Sequence, residues 1–138
     1  MSEIWQMSAV ELGAAIRRRD FACREVMDAV LDRIHRLDRH TNAFAFVDPI
    51  AARQAADEAD RAIASGSPLG PLHGLPISVK DMINTAGMRT AQGSHAFAGF
   101  VPTADAEAVA RVRRAGGVVF GKTTTPEMAC KITTDSPL

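Results

Sequence analysis

The sequence predicts an α/β fold in which N-terminal helices precede a β-strand, α-helix, β-strand (βαβ) unit. Apolar residues recur at helical spacing through residues 1–66, whereas short β-branched runs bounded by glycine and proline occur in residues 67–138. One helical pattern lies between two of these runs, and this order implies parallel strands joined by a right-handed crossover. We therefore expect one domain with a helical segment, 1–66, and a βαβ segment, 67–138.

Composition and charge narrow the classes of function. The chain has 138 residues, 46% of them hydrophobic, which suits a single globular domain, and its 16 basic and 16 acidic residues cancel. This balance indicates neither nucleic acid nor an anionic membrane as a partner. No signal-peptide core and no run of about 18 apolar residues is present. Cys23 and Cys130 are far apart and lack metal-ligand spacing, so reduced thiols and a cytoplasmic location are expected.

Three helices are predicted in the first segment. Ser8 and Glu11 form a capping-box signature before a short first helix. A second, amphipathic pattern extends over residues 26–37. Asp48 is a suitable N-cap for a third helix that begins with proline and covers the alanine-rich residues 49–63.

The second segment contains two predicted strands and a helix between them. The strands cover residues 75–79 and 117–120, where β-branched and apolar residues are flanked by glycine. Thr103 or Asp105 is expected to cap the helix, which ends at the Ala-Gly-Gly sequence 115–117.

Residues 116–123, GGVVFGKT, match the letters of a phosphate-binding loop. Such a loop requires a strand before the first glycine and a helix that opens at the lysine. Here a helix comes first, the intervening residues form the strand, and Pro126 follows closely. The sequence therefore predicts a turn at Gly121 and a strand-end residue at Lys122. A nucleotide-binding protein is retained only as an alternative from another functional class.

Lys80 is the candidate catalytic residue. The apolar run that precedes it, within GLPISVKD at 74–81, predicts an inner strand that carries the lysine to its carboxyl end, where α/β folds collect ligand sites. A lysine acts as a general base only when neutral, and burial favours the neutral form. The alternative is an exposed strand end beside Asp81. Asp81 should face the opposite side of the strand, where it could tie down a loop.

Four spaced segments together carry a family resemblance, and they are TNAFAFV at 41–47, GPLHGLPISVKD at 70–81, INTAGMRTAQGS at 83–94 and DAEAVARVRRAGGVVFGKTTTPEMA at 105–129. These segments resemble the amidase signature family of serine hydrolases, which use a Ser, cis-Ser, Lys triad. The resemblance covers nearly the whole chain and implies an α/β/α sandwich with a mixed sheet.

The resemblance implies cleavage of a carboxylic amide, with Lys80 accepting a proton from a bridging serine that activates a nucleophilic serine. It implies no metal or cofactor. Only the lysine of the triad has a counterpart here, because Ser78, Ser94 and Ser136 lack the family's serine-rich and glycine-rich setting. We therefore expect the chain to be the amino-terminal part of an amidase domain and to be inactive without the remainder.

Two further interpretations follow from the same residues. The chain could belong to the A subunit of a glutamine-dependent aminoacyl-tRNA amidotransferase, which should copurify with a second subunit and release ammonia from glutamine. It could also be a non-catalytic interaction fragment. The expected partners are a small-molecule amide and the rest of the domain, with a homo-oligomer left open. Cys130 is expected to be buried, and no histidine has metal-ligand spacing.

Overall fold

A computed structural model describes residues 4–138, and within that range the chain forms four α-helices and three β-strands. None of these helices is both long enough and apolar enough to cross a bilayer. Single 3₁₀ turns occur at Ile4–Gln6, His95–Phe97 and Glu127–Ala129. In chain order, the main elements are α1 (Ala9–Arg18), α2 (Cys23–Thr41), β1 (Phe44–Val47), α3 (Pro49–Ala64), β2 (Pro76–Lys80), α4 (Glu107–Arg114) and β3 (Val118–Thr123).

The three strands form a mixed sheet in the order β1, β3, β2. β3 pairs in parallel with β2 and antiparallel with β1. The predicted α/β class and the βαβ unit of β2, α4 and β3 are therefore confirmed. β1 was not predicted as a strand from the local pattern. Among the described residues β2 lies at an edge of the sheet, so the expectation of an inner strand is wrong for this part of the chain.

The register of β2 against β3 changes once. Ile77 lies opposite Val119, whereas the next residue, Ser78, lies opposite Gly121. Phe120 is therefore an extra residue on β3, an irregularity of the β-bulge type.

Two of the predicted helix starts are confirmed in atomic detail. The Ser8 N–H donates to the Glu11 carboxylate at 2.9 Å, and the Glu11 N–H donates to the Ser8 hydroxyl at 3.3 Å, which completes the capping box of α1. At α3, the Asp48 carboxylate accepts the N–H groups of Ile50 and Ala51 at 3.1 and 2.9 Å. Local sequence thus specifies where both helices begin.

The other two helices start without a local side-chain cap. The N–H of Cys23, at the start of α2, donates to Asp60 of α3 at 2.7 Å. The predicted Thr103 or Asp105 cap of α4 is wrong, since no side chain caps that helix. The Asp105 carboxylate instead accepts the Ala86 N–H at 2.7 Å and so holds the loop that follows β2.

Two hydrophobic clusters cover the two faces of the sheet. The larger cluster joins α1, α2 and α3 to one face and includes Val118 and Phe120 of β3. The smaller cluster contains Val119 of β3, Val79 of β2 and Val109 of α4. Because alternate residues of a strand face opposite sides, the sheet lies between two helical layers. Because β2 and β3 are parallel, their carboxyl ends lie at the same end of the sheet.

Candidate active site

Lys80 is the last residue of β2 and its side chain is exposed. Its Cα lies opposite that of Thr123, and its carbonyl accepts the Ile83 N–H at 2.9 Å, which turns the chain away from the sheet. Ser78, two residues earlier on the same strand face, is also exposed. The predicted place at a strand's carboxyl end is correct. The predicted shelter is not provided by the described residues.

Asp81 is buried immediately behind Lys80, with 2% of its surface exposed. Its N–H donates to the Thr123 carbonyl at 2.9 Å. Its carboxylate accepts the Ala91 N–H, and its carbonyl accepts the Gln92 N–H, both at 3.1 Å. The interpretation that Asp81 faces away from Lys80 and ties down a loop is confirmed.

The buried lysine of this region is Lys122 on β3, which is fully shielded from solvent. Its Nζ donates to the Ile83 carbonyl and to the Thr90 hydroxyl, each at 2.7 Å. It also lies 3.7 Å from Oδ1 of Asp81, an ion-pair distance, and that oxygen has no hydrogen-bond partner among the described residues. Sequence reasoning missed this site, because it treated Lys122 as an ordinary strand-end residue.

Burial and mutual attraction act in opposite directions on this ion pair. Burial raises the pKa of the Asp81 carboxyl, and the neighbouring Lys122 charge opposes that rise. Burial lowers the pKa of the Lys122 ammonium, and the Asp81 carboxylate opposes that fall. Each ion therefore favours the charged form of the other, as expected for opposite charges in a low-dielectric interior.

The structure supports rejection of a phosphate-binding loop at residues 116–123. β3 continues through Lys122, whose ammonium is occupied by protein groups. Gly121 lies inside the strand, so the predicted turn there is wrong. A Cβ on Gly121 would lie 2.9 Å from the Phe46 carbonyl oxygen, which shows that β1 passes close to this position.

A cavity of about 220 Å³ lies beside the buried ion pair. Asp81, Arg89 and Thr125 are among its lining residues. Arg89 donates to the Ala45 carbonyl and so links the loop after β2 to β1. Among residues 4–138 no group of three His, Cys, Asp or Glu side chains is placed to hold a metal ion.

Two of the serines considered from sequence use their hydroxyl groups within the chain. Ser94 is buried and donates to the Glu127 carboxylate at 2.7 Å. Ser136 donates to the Leu138 carbonyl at 2.9 Å. His73, at the turn before β2, has its Nε2 3.0 Å from the Ala59 carbonyl oxygen, a contact that ties this turn to α3.

The two cysteines are free but differ in exposure. Cys23 is buried, and burial together with the nearby Asp60 carboxylate raises its pKa to about 12. Cys130 is exposed, so the expectation of a buried thiol there is wrong.

The difference in exposure between Cys23 and Cys130 predicts selective alkylation. Iodoacetamide at pH 8 should modify Cys130 in the native protein and leave Cys23 unmodified, because thiolate is the reactive form and Cys23 is both shielded and protonated. Peptide mass spectrometry before and after addition of denaturant measures both sites, and denaturant should make them equally reactive. Equal rates in the native protein would contradict the burial of Cys23.

Known proteins resemble the chain in sequence and in structure. A family model described as Amidase matches residues 25–138. The chain is 41% identical over 136 residues to the A subunit of a glutamyl-tRNA(Gln) amidotransferase of Acidothermus cellulolyticus, a match that covers 99% of the chain. It superposes on a peptide amidase from Stenotrophomonas maltophilia with a TM-score of 0.86 and 39% identity over 95% of the chain, and on a fatty acid amide hydrolase with a TM-score of 0.90 and 25% identity over 96%.

The matched proteins are much longer than this chain. The chain spans 27% of the Acidothermus protein, 27% of the Stenotrophomonas amidase and 24% of the fatty acid amide hydrolase.

Proposed function

Because its residues 25–138 match the family model, the chain belongs to the amidase family, and we propose that it supplies the lysine-bearing part of an active site that cleaves carboxylic amides. The observation that carries this proposal is the position of Lys80. Its amine stands at the carboxyl end of a parallel strand, where α/β folds place ligands, and it is free of the contacts that occupy Lys122. Asp81, directly behind it, fixes the loop that continues from the strand.

In the proposed reaction, Lys80 in its neutral form accepts a proton from a bridging serine. That serine takes the proton of a second serine, whose oxygen attacks the amide carbonyl and forms an acyl-enzyme. The proton passes back to the leaving amine, and water then releases the acid. Backbone N–H groups aimed at the developing oxyanion would lower the barrier further.

We propose that both serines lie outside the 138 residues. Ser94 is buried in a hydrogen bond to Glu127, and Ser136 bonds to the chain's own backbone. Ser78 is exposed on the same strand face as Lys80, but its neighbours form a strand rather than a glycine-rich loop that could present oxyanion donors. The remainder of the domain would also cover Lys80 and exclude water from the reacting groups.

This arrangement predicts that residues 1–138 alone have no amidase turnover. The isolated residues should release no p-nitroaniline from an acyl p-nitroanilide above the buffer rate, whereas the complete domain should show a burst and steady turnover. Adding the remaining part of the domain as a second polypeptide should restore the burst. Enzyme-like turnover by residues 1–138 alone would contradict the proposal that the serines lie elsewhere.

A second candidate function is that of the A subunit of a glutamine-dependent aminoacyl-tRNA amidotransferase. The 41% identity to such a subunit of a glutamyl-tRNA(Gln) amidotransferase favours it, and the likeness to a peptide amidase favours a hydrolase that acts by itself. Purification of the complete protein from its host separates the two. An amidotransferase subunit should copurify with a second subunit and release ammonia from glutamine, whereas a hydrolase should cleave amides without a partner.

The proposal includes a cytoplasmic location. Both cysteines are free and lie in different parts of the described chain, which suits a reducing compartment.

A further inference from the structure

The Lys122 ammonium makes its contacts with the segment that follows Lys80. These partners are the carbonyl of Ile83, the hydroxyl of Thr90 and the carboxylate of Asp81. This loop segment, 81–91, leaves the end of β2 and returns to its own start, because the Ala91 N–H donates to the Asp81 carboxylate. One buried cation thus contacts the beginning and the end of the loop.

Lys122 also contacts the turn that contains Lys80. The Ile83 N–H donates to the Lys80 carbonyl at 2.9 Å, while the Ile83 carbonyl accepts the Lys122 ammonium at 2.7 Å. Asp81, which directly follows Lys80, donates its N–H to the Thr123 carbonyl, and its carboxylate lies within ion-pair distance of Lys122. The backbone at Lys80 is therefore fixed both by the hydrogen bond to its own carbonyl and by the contacts of Asp81 and Ile83 with β3.

Stability alone does not account for a buried ion pair at this position. Desolvating two charges costs free energy that their attraction repays only with good geometry, and apolar residues of similar volume often replace such pairs without loss. Here the geometry is incomplete, since Oδ1 of Asp81 has no hydrogen-bond partner in the described chain. The pair does fix the positions of the Ile83 carbonyl and the Ala91 N–H in the loop that follows Lys80.

We propose that Lys122 is a positioning residue for Lys80, acting through the loop segment 81–91. This proposal rests on the proposed function only in that Lys80 is the general base. Proton transfer requires the base within hydrogen-bond reach of its partner, and a displacement of about 1 Å can cost about 100-fold in rate. By fixing the turn at Ile83, Lys122 determines where the Lys80 amine can reach.

Thr90 offers the sharpest test, because it can be changed without removing a charge. Its hydroxyl accepts from Lys122 and donates to the Met88 carbonyl at 3.1 Å. Thr90→Val keeps the shape and removes the hydroxyl, whereas the matched control Thr90→Ser keeps the hydroxyl. In the complete protein, we expect Thr90→Val to lower kcat for acylation about 10-fold with KM within about twofold, and Thr90→Ser to retain the wild-type rate.

The outcomes separate this proposal from the proposed function. Wild-type acylation by Thr90→Val, equal loss in both Thr90 variants, or a change in KM alone would each overturn the positioning role. Lys80→Ala in the same assay tests the general base itself. Its result does not depend on the Thr90 hydroxyl, so the two proposals can fail separately. Lys122→Met would leave Asp81 as an unpaired buried charge and is expected to destabilise the protein, so Thr90 decides even where that variant does not fold.

Discussion

Replacing Lys80 with alanine should lower the rate of acylation by the complete enzyme about 10³-fold, because the proposed general base is lost. The fold should persist, since Lys80 is exposed at the end of its strand in the described chain. The measurement is the burst of p-nitroaniline from an acyl p-nitroanilide in stopped flow. Far-UV circular dichroism and the thermal midpoint of unfolding report the fold.

Lys131 provides a matched control for this experiment. It is also an exposed lysine, paired with Asp135 at 3.0 Å, and lies outside the proposed site. Lys131→Ala should acylate at the wild-type rate, which would show that loss of one surface ammonium is not enough to reduce activity. A Lys80→Ala enzyme that retains its burst would exclude Lys80 as the general base.

Gly74→Ala should destabilise the protein by about 2–4 kcal/mol. Gly74 has a φ of +74°, and a Cβ there would lie 2.3 Å from the buried Sγ of Cys23. The left-handed backbone costs a residue with a Cβ about 1 kcal/mol or more, and overpacking a core typically costs about 1–3 kcal/mol. Urea unfolding of the variant, followed by circular dichroism, measures the loss in free energy of unfolding.

Gly66 separates the backbone cost from the steric cost. It has a φ of +72°, but a Cβ there would meet nothing within 4 Å, so Gly66→Ala should cost only about 1 kcal/mol. Introducing Cys23→Ala should also reduce the cost of Gly74→Ala, because the clashing sulfur is removed. Equal losses for the two glycine variants would show that Cys23 and Gly74 do not pack as described.

The sequence predicted the helices of the first half well because their signals are local. A capping residue and the N–H that it accepts lie within three positions, as at Ser8 with Glu11 and at Asp48. Asp105 shows the limit of such signals. It has the right type and place to cap α4, yet a backbone donor from the loop after β2 takes its carboxylate instead.

β1 and Lys122 were missed for a common reason. β1 has only four residues, all partly exposed, and it is stabilised by pairing with β3 about 75 residues later in the chain. Lys122 is likewise enclosed by a segment that is distant in sequence, because its ammonium donates to Ile83 and Thr90, which lie 39 and 32 residues earlier in the chain. No pattern around Lys122 itself indicates these partners.

The candidate site was partly predictable in the same sense. Strand ends are marked by local sequence, so the place of Lys80 could be predicted from the run that precedes it. Burial depends on what packs over the end of the sheet, and no local pattern specifies that. For this reason burial was predicted for Lys80, whereas the buried lysine is Lys122.

The extra residue at Phe120 determines how the two lysines of the sheet are arranged. Because of it, Lys80 aligns with Thr123, and Lys122 aligns with Val79. With uninterrupted pairing, Lys80 would align with Lys122, and two ammonium groups would project from the same face of adjacent strands about 4.8 Å apart. A one-residue offset therefore directs the Lys80 amine, the proposed general base, and the buried Lys122 amine to opposite faces of the sheet.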